Sequence, residues 1–329
     1  MNFICFDLEG PLSPQDNAYE LMKLFPNGNK IFEVISRYDD LLTLEGRGDY
    51  EPGDTLALIV PFLVLHNISE NDITSLASKA SLTSEADKLI SQLEGSGWKI
   101  FCITTTYQQY ALHITQKLGI YVHNVASTPL PLDKLRVTLY NEDFARLHQI
   151  EQDMLTMSPI ADDNRIKQRL DNFFWKELPA TELGMAIREV KPVGGQRKVA
   201  ALERFSEKYD QALAKWVVIG DSITDFRMLQ AVETEGGLAI TFNANEYALP
   251  YATMSLASTS LSDLTEVLEA WQKGQRKAVE KIVKEKEIIG GVGDRGYFHW
   301  LSGRKDIDEV INIHKRIRRL VREEAGNLG

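Results

Sequence analysis

Cysteine is scarce in this chain of 329 residues: Cys5 and Cys102 are its only two. Two thiols in apolar, strand-like runs exclude a disulfide framework and are expected as buried free thiols. Long hydrophobic runs are also missing. The longest, Leu56–Leu65, contains Pro61 and reaches about half of the ~20 residues that a membrane span needs, so it reads as a buried segment. Basic charge is in deficit, with 37 Lys and Arg against 47 Asp and Glu and a net charge of −10. That balance excludes a broad nucleic-acid-binding face, which needs clustered cations that acids do not offset. An anionic substrate would need a local positive device. The first dozen residues hold Asp7 and Glu9 and no basic residue. Met1–Phe6 is therefore expected as a short strand and not a signal peptide, with the protein cytoplasmic and without a membrane partner.

What is present is the composition of an ordinary globular protein, 43% apolar and 26% charged, large enough for more than one core. Short apolar runs at Phe3–Phe6, Ile100–Ile103, Tyr121–Val125, Trp216–Ile219 and Leu238–Phe242 alternate with amphipathic stretches such as Glu85–Leu93, Gln108–Leu118 and Lys198–Tyr209. Strands spaced this way imply right-handed crossovers and an α/β fold with a doubly wound, Rossmann-like parallel sheet. Its core should comprise residues 1–12, 85–129 and 191–266. Residues 13–84, broken at Gly46-Arg47-Gly48 and Pro52-Gly53, read as an inserted helical cap. Residues 130–190, helical in pattern from Asn141 to Phe174, read as a further insert, and 267–329 as a C-terminal helical extension. In that extension Gly290–Gly296 matches G-x-G-x-x-G, but it follows a polar helix where the motif needs a strand, so it is expected as a hinge. Arg316, Arg318, Arg319 and Arg322 crowd a last helix from Ile307 to Glu324 and read as a solvated face near a helix C-terminus.

Chemistry is expected where strands end, since ligands of open parallel sheets bind at strand C-termini. Phe3-Ile4-Cys5-Phe6-Asp7-Leu8-Glu9-Gly10 places one carboxylate there and another two residues on, before a glycine turn. Asp7 can face a phosphorus atom while Glu9 reaches the leaving oxygen, dividing nucleophile from general acid/base. An acidic turn capping the next helix is the bland alternative. Trp216-Val217-Val218-Ile219-Gly220-Asp221-Ser222-Ile223-Thr224-Asp225 repeats the pattern, with Asp221 and Asp225 one helical turn apart. Hard oxygen ligands in that arrangement suit Mg²⁺; an N-capping Asp followed by a second acid is the alternative. Between the two lie Ile103-Thr104-Thr105-Thr106 and Lys198, a hydroxyl and an ammonium able to hold phosphoryl oxygens.

In this order, Asp7-Leu8-Glu9-Gly10, Thr104, Lys198 and Gly220-Asp221-Ser222 with Asp225 resemble the four motifs of the haloacid dehalogenase (HAD) superfamily. Gly237-Leu238-Ala239-Ile240 and Phe242-Asn243-Ala244 look like the segment after the fourth motif in phosphoserine phosphatases. The resemblance implies a Mg²⁺-dependent phosphatase or phosphotransferase acting on a small phosphorylated metabolite. Asp7 would be nucleophile and Glu9 acid/base, and Thr104 and Lys198 would hold the phosphoryl group, with Lys191 as the alternative lysine. The metal would sit on Asp7, Glu9 through its main-chain carbonyl, Asp221 and Asp225. Most members carry Asp at the position of Glu9, but the Asp-Leu-Glu-Gly form is similar to the phosphoserine:homoserine phosphotransferase branch. That branch has a cap Glu after Val-Pro where this chain has Ser13-Pro14-Gln15-Asp16, so its amine-binding residue is displaced or absent. Thr105, Asp16, Arg37 and Arg47 are candidate substrate contacts, the arginines for a substrate carboxylate. The insert and C-terminal helices also resemble archaeal HAD-like proteins of energy-converting hydrogenase clusters. They motivate the competing reading, a catalytically weak accessory protein that binds a partner or a second copy through these helices.

Overall fold

The computed structural model describes residues 2–293 and 296–322, with 141 and 142 described for their backbone only. The core is a seven-stranded sheet in the order β3-β2-β1-β4-β5-β6-β7, formed by β1 (Asn2–Phe6), β2 (Trp98–Tyr107), β3 (Val125–Thr128), β4 (Trp216–Gly220), β5 (Leu238–Phe242), β6 (Met254–Ala257) and β7 (Tyr297–Trp300). All pairings are parallel except β6 with β7. Side chains alternate between two faces along every strand, and each face is apolar because helices cover both. Phe3, Cys5, Phe101, Ile103 and Val218 join one core; Ile4, Phe6, Cys102, Val217 and Ile219 join the other. Both cysteines are buried and free.

The helices are α1 (Asn17–Met22), α2 (Gly28–Leu44), α3 (Thr55–Leu58), α4 (Val60–Leu65), α5 (Glu70–Lys79), α6 (Ala86–Gly95), α7 (Gln108–Lys117), α8 (Leu132–Leu135), α9 (Asn141–Leu155), α10 (Asp163–Asn172), α11 (Glu182–Ile187), α12 (Gln196–Lys208), α13 (Phe226–Thr234), α14 (Thr265–Ile289) and α15 (Asp308–Arg322). Helices α1 to α5 occupy the segment read as a cap, and α8 to α11 the segment read as an insert. The two are one packed body. Arg37 on α2 makes a two-pronged ion pair with Asp163 at 2.9 and 2.7 Å, Arg47 reaches Asp171 at 2.9 Å, and His66 meets the buried Glu151 at 2.6 Å. Tyr38 donates its hydroxyl to Asp171 at 2.5 Å and accepts from the Trp175 indole at 2.7 Å. The Leu56–Leu65 run lies in the core, with Ile59 to Val64 at 0% exposure apart from Pro61, which is likewise buried. Among the described residues no single helix is long and apolar enough to cross a membrane.

Three expectations change. Tyr121–Val125 is not a strand: Tyr121 and Val122 are exposed in a turn, and β3 begins only at Val125. The C-terminal extension is not purely helical, because β7 adds to the sheet edge with Met254 opposite Trp300 and Ala257 opposite Tyr297. Within it, Asp294 and Arg295 of the glycine loop lie outside the described residues, as do Glu323 and Glu324 of the last helix. That helix, finally, is not a free solvated rod: Val310, His314, Ile317, Arg318 and Arg322 are buried against the core.

The seam between cap and insert is polar and partly buried, so its members should differ in worth. Tyr38→Phe leaves the Trp175 N–H without its partner and takes one of two donors from Asp171 Oδ1, which keeps Arg47, and should cost about 1–3 kcal/mol in urea unfolding. Arg37→Met removes a pair whose side chains are 33% and 43% exposed and should cost no more than about 1 kcal/mol. Equal losses would show that the seam is not organised around Tyr38.

Candidate active site

Strand order reverses between β1 and β4: β2 and β3 lie on one side and β5 and β6 on the other. This is the topological switch point at which open α/β sheets bind ligands. Phe6 is paired with Ile219 and the Asp7 amide donates to the Ile219 carbonyl at 2.8 Å, so Asp7 and Asp221 emerge side by side. Oxygens of Asp7, Asp221 and Asp225 lie within 4.8 Å of one another and all three residues are buried. Gly10 lets the chain turn here. It has φ +95°, and a Cβ on it would overlap the Asp221 carboxylate, so both the backbone and the space demand glycine.

Lys198 completes the floor. It enters from the first turn of α12 at 0% exposure and places Nζ 2.9 Å from Asp7 Oδ2 and 2.7 Å from Asp225 Oδ1. Burial alone would lower its pKa, but the Asp225 and Asp7 charges more than offset this and hold it above its ordinary value. Asp225 is fully engaged: its other oxygen accepts from the Asp221 and Ser222 amides at 2.9 and 3.1 Å, shaping the loop that presents Asp221. Lys191 is exposed, so Lys198 is the lysine of this site.

The hydroxyl expected from Thr104 comes from its neighbour. Phe101 and Ile103 of β2 share the face of Phe3 and Cys5, and beyond them, where the register with β3 shifts, Thr105 lines the cavity. It donates to the Val193 carbonyl, just ahead of α12, at 3.2 Å. Thr104 does not line the cavity; it is buried and accepts from the Thr106 amide.

Above the floor is a cavity of about 110 Å³ between the sheet and the helical lid. Glu9 points away from the sheet and accepts from the Asn17 amide at 2.6 Å, at the start of α1. Burial, and next the Asp16 charge, push its pKa up to about 8. Asp16 caps α1 by accepting from Tyr19 at 2.9 Å and lines the cavity with Asp39 and Asp40; burial raises all three carboxyls. Asp7 is pushed up to about 7, by burial first and then by Asp225, against the pull of Lys198. Arg37 and Arg47 do not reach this cavity. Their guanidiniums are spent on Asp163 and Asp171, and Arg47 also lies 4.2 Å from the Trp175 ring centroid; the substrate-carboxylate role expected of them is not supported by their placement.

The cations that do reach it are two whose place in the sequence reads as solvated. Arg318 and Arg322 of α15 both donate through Nη1 to Asp221 Oδ2, Arg322 at 2.8 Å. Arg318 also donates to the Asn243 carbonyl at 3.2 Å and Arg322 to the Pro14 carbonyl at 3.0 Å. A signal for them is present: Val310, His314, Arg318 and Arg322 recur at four-residue spacing and so share one helix face, and the first two are plainly suited to a buried one.

A divalent cation has a compatible donor set here in Asp7 and Asp221, hard oxygens placed close together. Asp225 belongs to the same cluster and in addition holds Lys198 and the Asp221 loop.

No protein-family model matches the chain, and no curated protein matches it in sequence. Among solved structures, gene product AF1437 from Archaeoglobus fulgidus is similar over 100% of this chain and 99% of its own, at 27% identity and TM-score 0.86. A phospho-aspartyl intermediate analogue of phosphoserine phosphatase is similar over 80% of this chain and 97% of its own, at 15% identity and TM-score 0.53. A HAD family hydrolase from Salmonella enterica serovar Typhi is similar over 75% of this chain and 64% of its own, at 11% identity and TM-score 0.48. The fold is thus the mostly parallel, Rossmann-like α/β fold shared with that phosphoserine phosphatase structure.

Glu9 links the site to stability. Unfolded, it titrates near 4.5; folded, near 8. Between these values the folded chain holds a proton that the unfolded chain has released, so this residue makes stability fall as pH rises from about 4.5 to 8. Glu9→Gln should flatten that slope, gaining on the wild type between pH 5 and pH 8 in metal-free thermal melts. A stability difference that does not change with pH would remove Glu9 from the linkage.

Proposed function

We propose that this protein is a Mg²⁺-dependent phosphatase or phosphotransferase for small phosphorylated metabolites, working through an aspartyl phosphate on Asp7. One observation carries the reading: a fully buried lysine is clamped between Asp7 and Asp225 at the switch point, beside Asp221. A scaffold has no use for carboxylates concentrated in a buried place, where their desolvation is costly. The phospho-aspartyl analogue of the structurally similar phosphoserine phosphatase supports the same chemistry.

In this mechanism an Asp7 carboxylate oxygen attacks phosphorus and forms the new P–O bond as the ester P–O bond breaks. Glu9, protonated at neutral pH because of its burial, gives its proton to the departing alkoxide. Glu9 then takes a proton from water or an acceptor alcohol, which attacks the acyl phosphate; the P–O bond to Asp7 breaks and the carboxylate returns. Lys198 holds a non-bridging oxygen, the Thr105 hydroxyl holds another once its proton turns from the Val193 carbonyl, and Lys198 pulls the Asp7 pKa down against its burial. A Mg²⁺ held by Asp7, Asp221 and the Glu9 main-chain carbonyl would neutralise charge on the transferring group. The lid excludes water from the cavity, and Asp16 stands where an amine or hydroxyl of the substrate would meet the cap.

Asp7→Asn should abolish turnover and any base-labile phosphoenzyme in a screen of metabolite esters with Mg²⁺. Glu9→Gln should slow poor leaving groups by roughly 10²–10⁴-fold and spare an activated aryl phosphate. Full activity in Asp7→Asn would sink the mechanism. If the wild type hydrolyses nothing across a broad panel, the accessory-protein reading takes its place.

A further inference from the structure

We propose that Arg318 and Arg322 are resident counter-ions of the active site that compete with the divalent cation for Asp221, so that metal binding requires the C-terminal end of α15 to draw back. The inference rests on the metal-dependent reading above and adds to it a device that this chain carries in its own last helix.

Charge supplies the first argument. The floor contains the carboxylates of Asp7, Asp221 and Asp225 and the cations Lys198, Arg318 and Arg322. With the arginines docked the three carboxylates meet three positive charges, and the two guanidiniums bring the same total charge as one divalent ion. Adding the ion without removing them would set five positive charges against the three floor carboxylates, with Glu9 and Asp16 the further acids near Arg322, and crowding like charges in a buried cluster is costly. Geometry supplies the second. Both guanidiniums converge on Oδ2 of Asp221, one of the two side-chain oxygens this residue offers to a metal. The arginines are 4% and 8% exposed, and Arg318 Nε is buried without a hydrogen-bond partner. Two like charges side by side, with one donor unsatisfied, are held in place chiefly by Asp221.

The helix is built to move at this end. It is anchored as far as Ile317, by Val310 and Ile317 in the core and by His314, whose Nδ1 accepts from the Ala244 amide at 2.9 Å. Its last turn depends on the arginine contacts to Asp221, Asn243 and Pro14. Arg322 also stands between two spaces: the 110 Å³ catalytic cavity and a cleft of about 550 Å³ bordered by Pro14, Glu20, Lys23, Lys79 and Tyr110. Withdrawal of this side chain would join them and admit a substrate for which the closed cavity is small.

The test uses the full chain and Mn²⁺ as the probe, with binding read by calorimetry and by the electron paramagnetic resonance of free Mn²⁺. Removing the competitor removes the fraction of molecules closed to metal, so Arg318→Gln and Arg322→Gln should each tighten Mn²⁺ binding by about tenfold or more. Arg322→Lys, which keeps the charge, should stay near the wild type, and Asp221→Asn should lose the ion. In the wild type, where no variant need fold, saturating Mn²⁺ should speed hydrogen exchange in the last turns of α15 while slowing it in β1 and β4. Affinities equal within about twofold, or α15 amides unchanged or slowed by saturating metal, would overturn the competition while leaving a metal-dependent phosphatase intact. Absence of both Mn²⁺ binding and ester turnover in every variant would overturn the two readings together.

Discussion

The ion pair that Lys198 makes with Asp7 and Asp225 is the constraint on which the site is built. A fully buried ammonium is tolerated only where carboxylates surround it, and here they come from two different strand ends while the lysine comes from α12. Three elements far apart in sequence are thereby fixed to one another within hydrogen-bond distance. The second oxygen of Asp225 then orders the Asp221 and Ser222 amides, so the clamp also sets the loop that presents Asp221. Loss of the ammonium would leave two carboxylates facing each other without compensation, which is why architecture and chemistry cannot be separated at this position.

The lid solves a different electrostatic problem. Its inner surface is acidic, with Asp16, Asp39 and Asp40 facing the cavity, and acids above an acidic floor would repel both one another and any phosphate. Burial lessens this by raising their pKa values, although the Tyr50 hydroxyl, donating to Asp39 at 2.5 Å, favours its ionised form. The lid's own arginines cannot help, because Arg37 and Arg47 are committed to binding the insert. The positive charge of the metal-free floor therefore comes from below, through Lys198, and from α15, through Arg318 and Arg322.

Most of the floor was legible in the sequence because it depends on strand ends. An apolar run that breaks into a carboxylate is visible without a structure, and both Asp7 and Asp221 follow such runs. The hydroxyl was legible only to its strand end: position at the end of the apolar run selects Thr104, whereas Thr105 lines the cavity, past the shift in register with β3. Other features were hidden for physical reasons. Strands β6 and β7 have four residues each, too few for a period to declare itself, and β7 follows a charged helix. Arg37 and Arg47 carry no local mark of what they pair with, since Asp163 and Asp171 lie more than a hundred residues away. Arg318 and Arg322 read as solvated because basic residues at a helix C-terminus have a sufficient local reason to be there; only their alignment with Val310 and His314 distinguishes the buried pair from Arg316 and Arg319.

A chain with a net charge of −10 that concentrates Asp7, Glu9, Asp16, Asp221 and Asp225 around one cavity must neutralise much of that charge to fold. An ion taken from solution would do so only when bound, leaving the metal-free chain with a cluster of repelling carboxylates. Supplying the cations from α15 makes the fold independent of the ion. Helix α15 packs beside β6, and its C-terminal residues Arg318 and Arg322 enter the site. Cations on a central helix such as α12 could not leave without disturbing the sheet. Cations in the last described turns of α15 can, because among the described residues their hydrogen bonds to Asp221, Asn243 and Pro14 hold them, and local opening takes the low-stability parts of a structure first. The permanent charge is therefore on Lys198, and the exchangeable charge is on Arg318 and Arg322.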